Sequence, residues 1–159
     1  MKPVSALCLC LLMGMSVMAV RRGQAADAAK PPVYTPGLGE IMSLQQMRHS
    51  KLWTAGSIGN WALASYELEE LKEGFEDAGT FDPKHDGQPI ADLIAEITPQ
   101  PLAGLETAIK ARSTTKFDDA FDKLTDACNN CHQSADKPFI VIRRPATSPY
   151  TNQDFAPHG

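Results

Sequence analysis

The chain has 159 residues, 43% of them hydrophobic and 21% charged, a balance that excludes a disordered tail and suits a folded domain. Nineteen acidic residues outweigh fifteen basic ones, for a formal charge of −4. An acidic surface argues against nucleic acid and anionic lipid as partners, and fits a basic protein partner or plain solubility.

Residues 1–25 read as an export signal. Lys2 gives a basic start, Val4 to Val20 is apolar, and small residues offer cleavage after Ala25, or as late as Ala28. The apolar run is short for a membrane span of about 20 residues. Arg21 and Arg22 follow it directly, and positive charge there opposes export, so an uncleaved membrane anchor is the competing reading. Cleavage after Ala25 removes Lys2, Arg21 and Arg22 but no acidic side chain, and takes Cys8 and Cys10 with it. Residues 26–36, rich in Ala and Pro, read as a flexible leader.

Residues 37–137 carry four helical stretches. The first is expected from about Gly37 to Ala55, where Leu38, Met42, Gln45, His49, Leu52 and Gly56 share a face. Gly56 to Asn60 reads as a turn, with Asn60 capping the next helix. The second is expected from Trp61 to Ala78. Trp61, Ala64, Leu68, Leu71, Phe75 and Ala78 alternate steps of three and four, the seam of a bundle helix. Glu67, Glu69, Glu70, Glu73 and Glu76 are expected on its solvated face, and Gly79 at its end.

The third stretch starts near Ile90. Ile90, Leu93, Ile94 and Ile97 form one face, which Leu102, Leu105 and Ile109 continue. Thr98-Pro99-Gln100-Pro101 interrupts it, and proline inside a helix costs about 3 kcal/mol, so a kink or two short helices in line is expected. The fourth runs from about Lys116 to Ala135, with Thr115 and Asp118 as a capping box. Phe117, Phe121, Leu124, Cys128, Cys131 and His132 share one face of it. Residues 138–159 form an extended tail. Its apolar Phe139 to Ile142 is expected across the edge of a cofactor or the end of the bundle. The fold class is therefore all-α: an antiparallel four-helix bundle plus a C-terminal tail.

Cys128-Asn129-Asn130-Cys131-His132 is a C-x-x-C-H, the spacing of covalent c-type haem attachment. On a helix the two cysteines lie on one face, so each can form a thioether to one of two neighbouring vinyl groups. The adjoining histidine can reach the iron. Two other readings compete. A thiol–disulfide pair normally opens a helix in a βαβ setting, and no strand precedes this one. A zinc site needs four ligands, and His49, His85 and His158 lack paired spacing. One haem c per chain is expected. Export suits its attachment, and the expected compartment is a bacterial periplasm. No acid–base pair or substrate pocket is visible, so no enzyme is expected.

A helical bundle with C-x-x-C-H on its last helix resembles cytochrome c′ and its six-coordinate relatives. The resemblance covers roughly Leu38 to Gln133 and rests on Cys128, Cys131, His132 and Met42. It implies that His132 is the proximal iron ligand. Glu40-Ile41-Met42 looks like the place from which a methionine binds the second iron face in low-spin relatives. His49, two turns on along the same face, is the weaker alternative. Arg143 and Arg144 are candidate partners for haem propionates, because guanidinium matches carboxylate geometry. The tail beyond Lys137 is longer than the family's, and the prolines in the third helix are a second departure. The resemblance further implies pairing of two copies through the first two helices. The expected function is electron transfer with a redox protein partner. A five-coordinate haem protein that binds NO or CO, and a haem subunit of a larger redox complex, are the alternatives.

Overall fold

A computed structural model describes residues 33–158. The expected signal segment, with Cys8, Cys10, Arg21 and Arg22, lies outside the described residues. So does most of the expected leader.

The fold is all-α. Among the described residues there are five helices: α1 (Leu38–Ser57), α2 (Trp61–Phe81), α3 (Ile90–Ile97), α4 (Pro99–Lys110) and α5 (Thr114–Ser134). None is long and apolar enough to cross a membrane. α1 packs chiefly on α2, and α4 on α5, while α2 also meets α3 and α4, and α5 also meets α1 and α3.

The stripes read from the sequence are the buried ones. α1 buries Ile41, Gln45, His49, Leu52, Ala55 and Gly56. α2 buries Ala64, Leu68, Leu71 and Ala78 along its seam. The third stretch is two helices, parted at Thr98. Pro99 and Pro101 cannot donate to the carbonyls four residues back, and Pro99 opens α4 at a position where the missing N–H costs nothing. The Thr98 hydroxyl donates to the Ile94 carbonyl at 2.9 Å and helps close the end of α3.

Two helix ends differ from expectation. α2 runs through Gly79 to Phe81, because Gly79 keeps helical backbone and does not adopt the left-handed conformation that ends a helix. α5 is capped by Ser113, not Thr115. Arg112 at φ 49° turns the chain after α4, and Ser113, in extended backbone, accepts the Lys116 N–H at 3.4 Å. Thr115 is already inside the first turn. Asn60 caps α2 as expected, accepting the Leu63 N–H at 3.2 Å.

The main core joins α1, α2, α4 and α5 around Phe117 and Phe121, both fully buried. Trp53 lies over both rings, at 6.2 and 5.1 Å between centroids. Gly56 makes this close approach possible, since a Cβ there would overlap the Phe117 ring. A smaller apolar cluster, Ile41, Ala78, Ile90, Ile94 and Ala135, occupies the other end.

Glu67 corrects the expectation of five carboxylates on an outer face. It is only 3% exposed, on the side of α2 that meets Arg48 and Lys51 of α1. Burial pushes its carboxyl up from the ordinary value, against the pull of Lys51 and Arg48. Glu70 is half-buried in an ion pair with Arg48 at 3.0 Å, while Glu69, Glu73 and Glu76 are exposed.

Gly56→Ala is expected to destabilise the fold by about 1–3 kcal/mol in denaturant unfolding, because the added methyl displaces Phe117. Glu67→Gln is expected to raise the melting temperature at neutral pH. In acid the carboxyl is protonated in both folded and unfolded chains, so the gain should vanish near about pH 4. A melting series across that range checks the sign.

Candidate functional site

A cavity of about 310 Å³ separates the two core clusters, within the size range of small-ligand and cofactor sites. Its walls are mostly apolar: Leu71 and Phe75 of α2, Ile90 and Ile94 of α3, Leu124 of α5. Met42, Gln45 and His49 line it from α1. Cys128, Cys131 and His132 line it from α5, and Ile140 and Ile142 from the tail. The structure thus brings together all three residues of the C-x-x-C-H motif with both candidates for a facing ligand. The reason is periodic. Phe117, Phe121 and Leu124 anchor α5 in the main core, and the same stripe carries the motif into the cavity two turns later.

His132 is half-buried, and its Nδ1 lies 3.0 Å from the Ile140 carbonyl oxygen. A carbonyl can only accept, so Nδ1 carries a proton, and the tautomer that makes this bond has its lone pair on Nε2. This is the second-sphere bond that ligating histidines make to fix ring orientation.

His49 has the opposite tautomer. It is 4% exposed, and its Nε2 lies 2.9 Å from the Thr125 hydroxyl. That hydroxyl spends its single proton on the Phe121 carbonyl at 3.0 Å, so it must accept from Nε2–H. Burial holds the imidazole down to about 4, which leaves the ring neutral with its lone pair on Nδ1. The Phe121 ring packs 4.4 Å away, centroid to centroid. Met42 has no such commitment; its side chain is half-buried between the cavity and the smaller cluster.

Cys128 and Cys131 are free thiols. Burial pushes the Cys128 thiol up to about 12, with the Cys131 thiol adding to the shift, and burial raises Cys131 as well. Both sit in the last two turns of α5, where the helix dipole opposes negative charge. Among the described residues, no three His, Cys, Asp or Glu side chains are grouped to hold a bare metal ion.

The two arginines do not line the main cavity. Arg143 is exposed and borders a second cavity of about 500 Å³ between α1 and the tail, which shares Ser43, Gln46, His49 and Ile142 with the first. Arg144 grips the Asp122 carboxylate at 2.6 and 3.0 Å and the Asp118 carbonyl at 3.2 Å, with its guanidinium 4.2 Å above the Trp53 ring. His158 is exposed, 3.2 Å from Asp154.

Three site residues escaped the sequence reading. Thr125 is one position off the apolar stripe, and nothing local marks its bond to a residue 76 positions away. Asn129, inside the motif, binds the backbone of Ile142. His85, which the sequence shows only as a histidine without paired spacing, reaches the cavity rim, its Nδ1 2.8 Å from Asp82.

Comparison of the chain with protein-family models, with curated proteins and with solved structures found no match.

Thr125→Val keeps the shape of the side chain but leaves the His49 Nε2–H buried without an acceptor. It is expected to cost about 1–3 kcal/mol of unfolding free energy, read by urea titration.

Proposed function

We propose that the chain is an exported c-type cytochrome that carries electrons in the periplasm. One haem would be held by thioethers from Cys128 and Cys131, with His132 Nε2 as axial ligand. The observation that carries this reading is the Nδ1–H bond from His132 to the Ile140 carbonyl, which aims the opposite nitrogen's lone pair away from the tail. The residues present fit the group: two cysteines on one helical face, an oriented imidazole beside them, and apolar walls around them. When bound, haem supplies the ferrous–ferric couple of its iron.

The chain contributes through its own side chains. The apolar walls exclude water and lower the local dielectric, which limits reorganisation as charge changes. Met42 is the candidate second ligand. Its thioether is uncommitted, and His49, whose Nε2–H goes to Thr125, remains the weaker alternative through Nδ1. A thioether donor raises the potential. In the same reading, α3 and α4 count as one interrupted helix, and the architecture is a four-helix bundle.

The thiol chemistry supports this reading over a dithiol oxidoreductase. Reactive C-x-x-C pairs sit at helix N-termini with lowered thiol pKa values. Here the pair closes a helix, and burial raises both.

Intact mass and an optical spectrum of the exported protein test the proposal. The mass is expected to exceed the polypeptide by one haem, and Cys128→Ala with Cys131→Ala should abolish the increment. The resting protein is expected to be low-spin, and Met42→Leu should convert it to high-spin iron that binds carbon monoxide. Rapid carbon monoxide binding by the unaltered protein favours the gas-binding alternative. A colourless product at the bare polypeptide mass overturns the reading.

A further inference from the structure

The tail does not hang from the helical domain. It leaves α5 at Asp136, which has φ 58°, and the Lys137 N–H returns to the His132 carbonyl at 2.7 Å. From there it runs back along α5, antiparallel to it. Its contacts climb the helix in order. The Ile140 carbonyl meets His132; Ile142 meets Asn129; Arg144 meets Asp122 and Asp118. The Asn129 bond is double. Its Oδ1 accepts the Ile142 N–H at 2.8 Å, and its Nδ2 donates to the Ile142 carbonyl at 2.9 Å. One side chain therefore satisfies both backbone groups of one tail residue.

That double bond fixes register. In extended backbone, side chains alternate, and a slip of one residue exchanges the two faces. In the observed register Ile140, still 42% exposed, and Ile142 line the cavity, while Val141 borders the second cavity. A slip would break both Asn129 bonds and move the Ile140 carbonyl away from His132.

We infer that residues 140–144 are a strap belonging to the proposed haem site, in which the Ile140 carbonyl orients His132 and Asn129 is the positioning residue that holds this carbonyl in place. The inference rests on the haem reading of the C-x-x-C-H motif, and gives a role to one variable position of that motif. Asn129 carries no metal or thioether bond, and acts on His132 only through the strap. Donation from Nδ1–H makes the imidazole a stronger electron donor, so the intact strap favours the ferric state and lowers the potential.

The test uses the holoprotein, with covalent haem verified by intact mass. Asn129→Ala is expected to raise the midpoint potential and lower the iron–histidine stretching frequency of the carbon monoxide photoproduct. It should also speed hydrogen exchange at the Ile142 amide by about tenfold or more, as two bonds to that residue are lost. Asn129→Asp keeps the acceptor and loses the donor, so its potential should fall between. Asn130→Ala removes the exposed neighbour in the same motif and should leave the potential unmoved. Faster exchange at Ile142 with an unchanged potential in both Asn129 variants would overturn the inference, as would a potential shift of equal size in Asn130→Ala. Absence of haem from the unaltered protein is a separate outcome: it defeats the parent reading and is visible in the mass before any variant is made.

Discussion

One stripe of α5 has to satisfy two demands, and the remaining helices are arranged around that conflict. At its N-terminal half the stripe is Phe117, Phe121 and Leu124, fully buried against α1, α2 and α4. At its C-terminal half it is Cys128, Cys131 and His132, which face a cavity. Protein interiors are normally close-packed, so a ligand-sized space beside a packed core needs walls that do not collapse into it. The break at Thr98 supplies one. α4 stays with the main core through Leu102, Leu105 and Ile109, while α3 carries Ile90 and Ile94 to the cavity and the smaller cluster. A single unbroken helix would have to serve both directions with one straight face.

The two histidines at this cavity divide along the same line. Each is fixed by a partner whose hydrogen-bonding capacity is one-sided at the point of contact. The Ile140 carbonyl has no proton to give, and the Thr125 hydroxyl has already given its own to Phe121. His132 therefore keeps Nε2 for another bond, and His49 keeps Nδ1. Two residues that look equivalent as one-letter codes are thereby assigned different capacities by neighbours outside their own local sequence. The Thr125 bond leaves the His49 lone pair on Nδ1, so hydrogen bonding does not by itself rank Met42 and His49 as facing ligands.

Much of this was legible in the sequence where it depends on period. The buried faces of α1, α2 and α5, the interruption at Thr98-Pro99, the Asn60 cap and the shared face of Cys128, Cys131 and His132 arise from local spacing and backbone chemistry. The failures are tertiary. Glu67 reads as an outer carboxylate because charge is normally solvated, yet α1 brings Arg48 and Lys51 to its side and makes burial tolerable. Gly79 reads as a stop because glycine often ends helices, yet here its backbone stays helical and α2 runs two residues further. Arg144, a candidate for the cofactor's carboxylates, lies against Asp122 and Trp53, a placement that no local spacing announces. Asn129 gives no signal because the variable positions of a motif are read as spacers, and its partner is 13 residues on in a segment with no periodicity.

The tail shows how an irregular segment can be ordered without secondary structure of its own. Fixing a residue's backbone costs roughly 1–2 kcal/mol, so a long segment needs strong anchors or must remain partly free. The anchors here are gathered at two ends. Near α5 they are the His132 and Asn129 bonds and the Arg144 pair; at the far end Phe155 is buried at 6% exposure in the main core while Asn60 holds its carbonyl at 3.0 Å. The span between them passes the second cavity, where Tyr150 is half-buried and Lys51 lies 5.3 Å from its ring centre. Closure entropy rises slowly with loop length, so this loosely held middle adds little cost once both ends are fixed. The same Asn60 that caps α2 also fastens the tail, which ties the α1–α2 turn to the segment crossing the C-x-x-C-H motif.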